Sequence, residues 1–526
     1  MGVETTAAPP RARPAGWIAV SFAVALLVAA PLLVLPASFV GEGEALDSIA
    51  RSLLPEALRA SLVLAVGVGA CTLVLGGGLA ALVSFYDFPG RHWLDWALVL
   101  PLAMPAYVLV FVVLGQSDEL RFVELRSTAG TIAVLSLVLY PYVYVLGRAA
   151  FLAQSRETLE VARSLGLGYG RAIARVALPL ARPALAAGTA LAIMEALADF
   201  GAVNLLGYRA MTDAIYRVWY GAFDRAAALQ LATVLVALTL TLVVLERILR
   251  GRARFHGALT RGEAVVPRRL GGVRGLAAAA LPCALLLVVF AGPVAQLAVW
   301  SVQSLGEGAS AESLAESALT SLLLALGAAL IAALAATVVA YGRRVHPSRP
   351  GAVAAGVSAL GYAVPGTVVA VAVYVPLSWL ERRIGAGLIF TGTVVGLIVA
   401  YLVRFHALAL FSLQTRMGRI DPVLDDAARG LGADRQRVLA DVHLPLLWPG
   451  IVTAALLVFV EVMKELPATA LLRPLGGDTL AIAVWEATKD SRFDTAALPA
   501  LLIVLVGLLP VIVLIRLSRS DALRGL

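Results

Sequence analysis

Apolar runs of about 20 residues recur from one end of this chain to the other, each long enough to cross a hydrocarbon core roughly 30 Å thick. Only 14% of the 526 residues are charged and 60% are hydrophobic, where a soluble domain carries roughly 25% charged residues. Read as helices, the runs make an all-α integral membrane protein of about twelve transmembrane segments. They cover 17–36, 59–85, 97–115, 130–150, 184–206 and 227–249, then 276–300, 318–341, 353–378, 387–411, 449–473 and 498–516. The first run follows Arg11 and Arg13 in the manner of a signal peptide, but it is too long for a typical h-region and is read as a retained span. Cys71 and Cys283 both lie inside runs, so no disulfide framework is expected.

The net charge of +8 does not point to nucleic acid, because the basic residues sit in short loops between spans, where membrane topology explains them. The most basic loop joins the sixth and seventh runs and carries Arg247, Arg250, Arg252, Arg254, Arg261, Arg268, Arg269 and Arg274. It divides the chain into a first repeat, 1–250, a linker, 251–275, and a second repeat, 276–526. Positive-inside counting places this linker in the cytoplasm, together with both termini, Arg156, Arg163, Arg171, Arg175 and Arg182, and Arg343, Arg344 and Arg349. On the opposite face, Glu42, Glu44 and Asp47 mark the first outer loop, and Glu307, Glu312 and Glu316 mark the loop 301–317, which has no Lys or Arg.

Self-comparison shows a tandem duplication. Ser321, Leu322, Gly327 and Pro365 each lie 260 positions after Ser61, Leu62, Gly67 and Pro105. Further on, Gly432, Pro445, Pro449, Glu461 and Trp485 lie 266 positions after Gly166, Pro179, Pro183, Glu195 and Trp219. Six spans separate equivalent points, so the repeats are parallel.

The repeats agree best in the loop after the fourth span, about 151–183 and 412–448. Each copy has an acid, an alanine two positions on, a glycine and then a proline: Glu160, Ala162, Gly166 and Pro179, matched by Asp426, Ala428, Gly432 and Pro445. This spacing predicts a short helix, a glycine stop, a second short helix and a proline break before re-entry into the membrane. Small alanines would permit close approach of a partner, and the acid near the helix start suits the helix dipole. Solvated amphipathic loops lying on lipid headgroups would leave the repeated glycine and proline spacing unexplained.

The pattern resembles the EAA loop of ABC-importer permeases, E-A-A-x-x-x-G followed by L-P. The resemblance implies a type I, MetI-like permease whose loop is a coupling helix docking into the nucleotide-binding subunit. By position, Glu160, Ala162 and Gly166 would serve one ATPase, and Asp426, Ala427, Ala428 and Gly432 the other; Val161 and Asp426 depart from the family pattern. The implied partners are two copies of an ABC ATPase, a periplasmic substrate-binding protein and membrane lipid. ATP and Mg would belong to the ATPase, with no cofactor on this chain. A P-loop requires lysine after glycine, and neither lysine, Lys464 nor Lys489, follows one.

The segments MEALADFGAVNLLG, TDAIYRVWYG, VEVMKELPATALLRP and DTLAIAVWEATKD are similar to fused ferric-iron permeases of the bacterial inner membrane. Fused permeases for thiamine, phosphonates or polyamines share this architecture. A major-facilitator carrier is a further alternative, faintly suggested by Asp87-Phe88-Pro89-Gly90-Arg91. An intramembrane enzyme is disfavoured, because the five histidines show no metal-binding or catalytic spacing. Glu195 and Asp199 recur as Glu461 and Glu465, each pair four residues apart and so expected on one helix face. Buried acids in a membrane mark function, and hard oxygen ligands suit ferric iron, which makes these four a candidate translocation path. Alternatively the acids are structural, pairing with Lys464, Arg209 or Arg473.

Overall fold

The computed structural model describes residues 15–39, 52–116, 124–250, 266–306 and 311–524, apart from 346, 386, 388 and 475. Arg11, Arg13, Glu42, Glu44, Asp47, Glu307 and most of the linker, with Arg252, Arg254 and Arg261, lie outside the described residues. Nearly everything described is helix, and the only strands among the described residues are two of two residues each, Tyr86–Asp87 and Arg268–Arg269, paired in parallel. This short pair ties the end of the linker to the second span. It also accounts for the Asp87–Arg91 segment, where Gly90 turns at φ 78° and the Arg91 side chain donates to the Val83 carbonyl.

Nine described helices are long and apolar enough to cross a membrane, or eleven if each of two bent pairs counts as one span. Of the about twelve spans expected, the third and the ninth differ in shape. The third and ninth spans are the bent pairs Arg91–Ala103 with Ala106–Gly115, and Arg349–Tyr362 with Gly366–Ile384, turning by 88° and 113°. Each turn falls at a matched proline, Pro105 or Pro365, whose ring holds the preceding Met104 and Val364 in extended backbone and so ends the incoming helix. The expected twelfth span, 498–516, falls within the 28-residue helix Ala497–Arg524.

The fifth and eleventh spans also differ from expectation. They run over Tyr169–Ala198 and Val438–Met463, and no proline break interrupts either. Instead the chain widens into π-helical turns, Ile173–Ala177 and Val438–His443, just before Pro179 and Pro445. A proline can neither donate its missing N–H nor tolerate the carbonyl one turn back, and the wide turn accommodates both constraints without ending the helix. At the far end, helix stops after Ala198 and Met463 and resumes as the short helices Gly201–Leu205 and Pro467–Leu472.

Packing in the first half depends on small residues, as expected where lipid supplies no hydrophobic contrast. A Cβ on Gly76 would lie 2.6 Å from the Tyr140 carbonyl oxygen, and one on Gly188 2.7 Å from Val143 Cα. The first helix, Ala15–Ala37, packs on the second half: its Trp17 ring lies 4.9 Å from that of Tyr341. Reciprocally, Trp300 of the seventh span lies 5.8 Å from Phe111 of the first half. The sequence repeats are therefore interlocked rather than separate packing units.

Candidate functional site

The matched loops form two nine-residue helices, Arg156–Ser164 and Pro422–Gly430. Gly166 and Gly432 end them in left-handed backbone at φ +89° and +87°. Gly166 N–H donates to the Arg163 carbonyl at 3.0 Å and Leu167 N–H to Ala162 at 3.2 Å; Gly432 and Ala433 donate to Arg429 and Ala428, both at 3.0 Å. These are paired Schellman stops, which satisfy carbonyls left open at a helix end and need a residue with φ above zero.

Side-chain placement refines the expected docking face. Glu160 and Asp426 are exposed and pair within their own helices, with Arg156 at 2.6 Å and Arg429 at 3.3 Å. Ala162, expected to face a partner, is buried against its own chain, while Ala427 is exposed and Ala428 half-buried. Exposed apolar groups are Val161 and Leu165 in the first loop and Val423, Leu424 and Leu431 in the second, with Leu165 79% and Leu431 91% exposed. Leu165 and Leu431 are equivalent positions. Apolar side chains held out at the same point of both repeats mark a contact surface, a signal available in the sequence as the residue just before each glycine.

The two loop helices are seated differently. In the first, Leu159 is buried, as are Ala177 of the π-helical turn and Ser84 of the second span. At the equivalent positions the second repeat has Asp425, His443 and Arg344. Asp425 Oδ1 lies 2.8 Å from His443 Nε2, and Arg344 approaches Asp425 at 3.2 and 3.3 Å while also donating to the Ile420 carbonyl at 2.7 Å. Burial alone would raise the Asp425 carboxyl, but the hydrogen bonds from Arg344 and His443 outweigh it and hold the group below the usual carboxylate range. Matching residues between the repeats do not reveal this charged clamp, because it sits where the repeats differ.

All four candidate path acids line one cavity of about 120 Å³ between the halves, together with Arg404 and Lys464. They do not share a helix face as expected. Asp199 and Glu465 lie beyond the helix ends, where their carboxylates accept from the first free N–H groups of the next short helix: Ala202 and Val203 at 2.9 and 3.2 Å, and Ala468 at 3.0 Å. Capping of helix starts fixes these two acids in place. Glu465 also lies 3.3 Å from Arg404, and Glu461 lies 2.8 Å from Lys464, while Arg209 pairs with Glu56 and Arg473 with Asp478 and Glu486. Glu195 alone of the four has no hydrogen bond or ion pair among the described residues. No three His, Cys, Asp or Glu side chains among the described residues converge tightly enough to cage a metal.

Interlocked parallel repeats, each with a glycine-stopped external helix and together enclosing a charged cavity, are the architecture of a multi-pass transport permease. Residues 73–254 and 325–520 match the family described as binding-protein-dependent transport system inner membrane component, and the chain belongs to that family, the permeases of ABC importers. It is 27% identical to the Fe(3+)-transport system permease protein of Haemophilus influenzae over 95% of this chain and 98% of that one. Half-length relatives include the molybdate/tungstate transport system permease protein of Thermococcus kodakarensis, 28% identical over 38% of this chain and 79% of its own. The sulfate transport system permease protein of Escherichia coli is 30% identical over 34% of this chain and 70% of its own. Family membership replaces the major-facilitator alternative.

Proposed function

We propose that this chain is the permease through which a partner ATPase drives ferric iron, handed over by a periplasmic binding protein, into the cytoplasm. The observation that favours iron over the oxyanions named for other relatives is the cavity's charge. Four carboxylates face two cations, and Glu195 has neither a hydrogen bond nor an ion pair among the described residues. An end-to-end relative named for Fe(3+) supports the same reading. In this account the termini and loop helices are cytoplasmic, and two copies of an ATPase carrying ATP and Mg engage Val161, Leu165 and Leu431 beside Glu160 and Asp426. ATP closes the partner, draws the loop helices together and biases the halves between inward and outward access.

Glu195 is the residue placed to meet the cation in transit, since Asp199, Glu461 and Glu465 are already engaged. Glu195→Gln keeps shape and removes charge. Iron uptake per assembled complex is expected to fall about tenfold, the scale of one lost charged interaction, while ATPase stimulation by the loaded binding protein persists. Unchanged uptake, or failure of assembly alone, would remove Glu195 from the path.

A further inference from the structure

A second cavity, about 780 Å³, opens between the helices Leu54–Phe85, Leu178–Ala198 and Arg225–Arg250. Its lining is apolar or glycine except for Arg182 and Thr189, and the Thr189 hydroxyl donates to the Leu185 carbonyl within its own helix. Arg182 is therefore the one charged group lining the groove among the described residues. It is exposed, and no carboxylate lies within ion-pair distance of it among the described residues.

The residues that open this groove are not repeated in the second half. Its floor is open because Gly77 and Gly78 carry no side chain, and a Cβ on Gly78 would meet nothing within 4 Å. Thr337 and Val338 occupy the equivalent positions of the second repeat, and Trp448 stands where the first has Arg182. Trp448 is 63% exposed, the placement of an aromatic ring at a membrane interface. About 16 Å of helix separates Arg182 at one end of the groove from Ile193 toward the other. An apolar slot of that length with a lone cation at its interfacial end matches one lipid molecule, not a soluble ligand.

We propose that this groove seats an acyl chain of an anionic phospholipid of the cytoplasmic leaflet, its phosphate held by Arg182. The leaflet rests on the sidedness given under the proposed function; the groove and its charge do not. Ile173 and Ala174 of the π-helical turn also line the groove. The lipid thus braces the segment joining the first loop helix to its membrane span, a support the second repeat replaces with side chains.

Native mass spectrometry of the purified permease–ATPase complex, with phosphatidylglycerol or phosphatidylcholine added, tests this without reference to transport. Wild type is expected to retain one phosphatidylglycerol more strongly than phosphatidylcholine. Arg182→Gln should weaken that retention about fivefold, the contribution of one basic residue at an anionic surface. Gly78→Leu, which fills the groove from a helical position, should abolish it while the complex stays assembled. Equal retention of the two lipids by wild type, or undiminished phosphatidylglycerol on the assembled Gly78→Leu complex, would overturn the assignment.

Discussion

Asp425→Leu is expected to detach the second loop helix from its membrane domain and to abolish most ATP-driven uptake while the protein remains inserted. Arg344 and Asp425 are only 13% and 12% exposed as side chains, and removing one member of a buried ion pair costs about 3–5 kcal/mol because the partner is left charged and unmatched. The cost falls on the Asp425, Arg344 and His443 contacts and on the turn at Ile420 rather than on the helices that span the membrane. ATPase co-purification and uptake per inserted permease measure it. The first repeat supplies its own control: Asp425→Leu combined with Arg344→Ser and His443→Ala transplants the Leu159, Ser84 and Ala177 seat. Since an apolar set can replace a buried ionic one at little cost, the triple variant should recover much of the lost coupling. A triple variant no better than the single one would mean that the clamp does more than hold the helix.

Gly432→Val should be the second severe change, and for a backbone reason. A Cβ at Gly432 meets nothing within 4 Å, so no clash is created; the penalty comes from forcing a β-branched residue to φ +87°. That costs about 1–2 kcal/mol or more, and relaxing it breaks the bonds to Arg429 and Ala428 and re-aims Leu431. ATPase co-purification should fall, or hydrolysis should continue without uptake, with Gly166→Val similar. Asparagine tolerates left-handed backbone, so Gly432→Asn should stay near wild type. Equal loss in both variants would point to side-chain size; wild-type transport in the Gly166→Val, Gly432→Val double variant would end the coupling role of these loops.

Much of this was legible before any coordinates. Hydropathy sets the helical membrane class, and the fixed offsets of Gly166, Gly432, Glu195 and Glu461 reveal the duplication because identical residues were kept where both halves do the same work. The helix stops at both glycines and the gathering of four acids at one cavity follow from those offsets. Three features do not. Hydropathy sums residues without direction, so the bends at Pro105 and Pro365 look like straight spans, although a matched proline inside an apolar run is the available warning. Periodicity placed Asp199 and Glu465 on a continuing helix, whereas their side chains satisfy the N–H groups of the next one, a role that exists only once the helix has ended. The clamp and the lipid groove lie where the repeats diverge, at Leu159 and Asp425 or Gly78 and Val338. Comparison of the halves passes over those positions unless difference is read as information.

Passage of ferric iron is the reading that the charge of the cavity favours. The direct measurement is ATP-dependent uptake by the permease–ATPase complex in proteoliposomes, supplied with its binding protein loaded in turn with ferric iron, molybdate or sulfate. Iron should be the solute that both stimulates ATP hydrolysis and accumulates, with accumulation lost in Glu195→Gln. Accumulation of an oxyanion in place of iron would contradict the account and would reassign Arg404 and Lys464 as the groups that meet the solute.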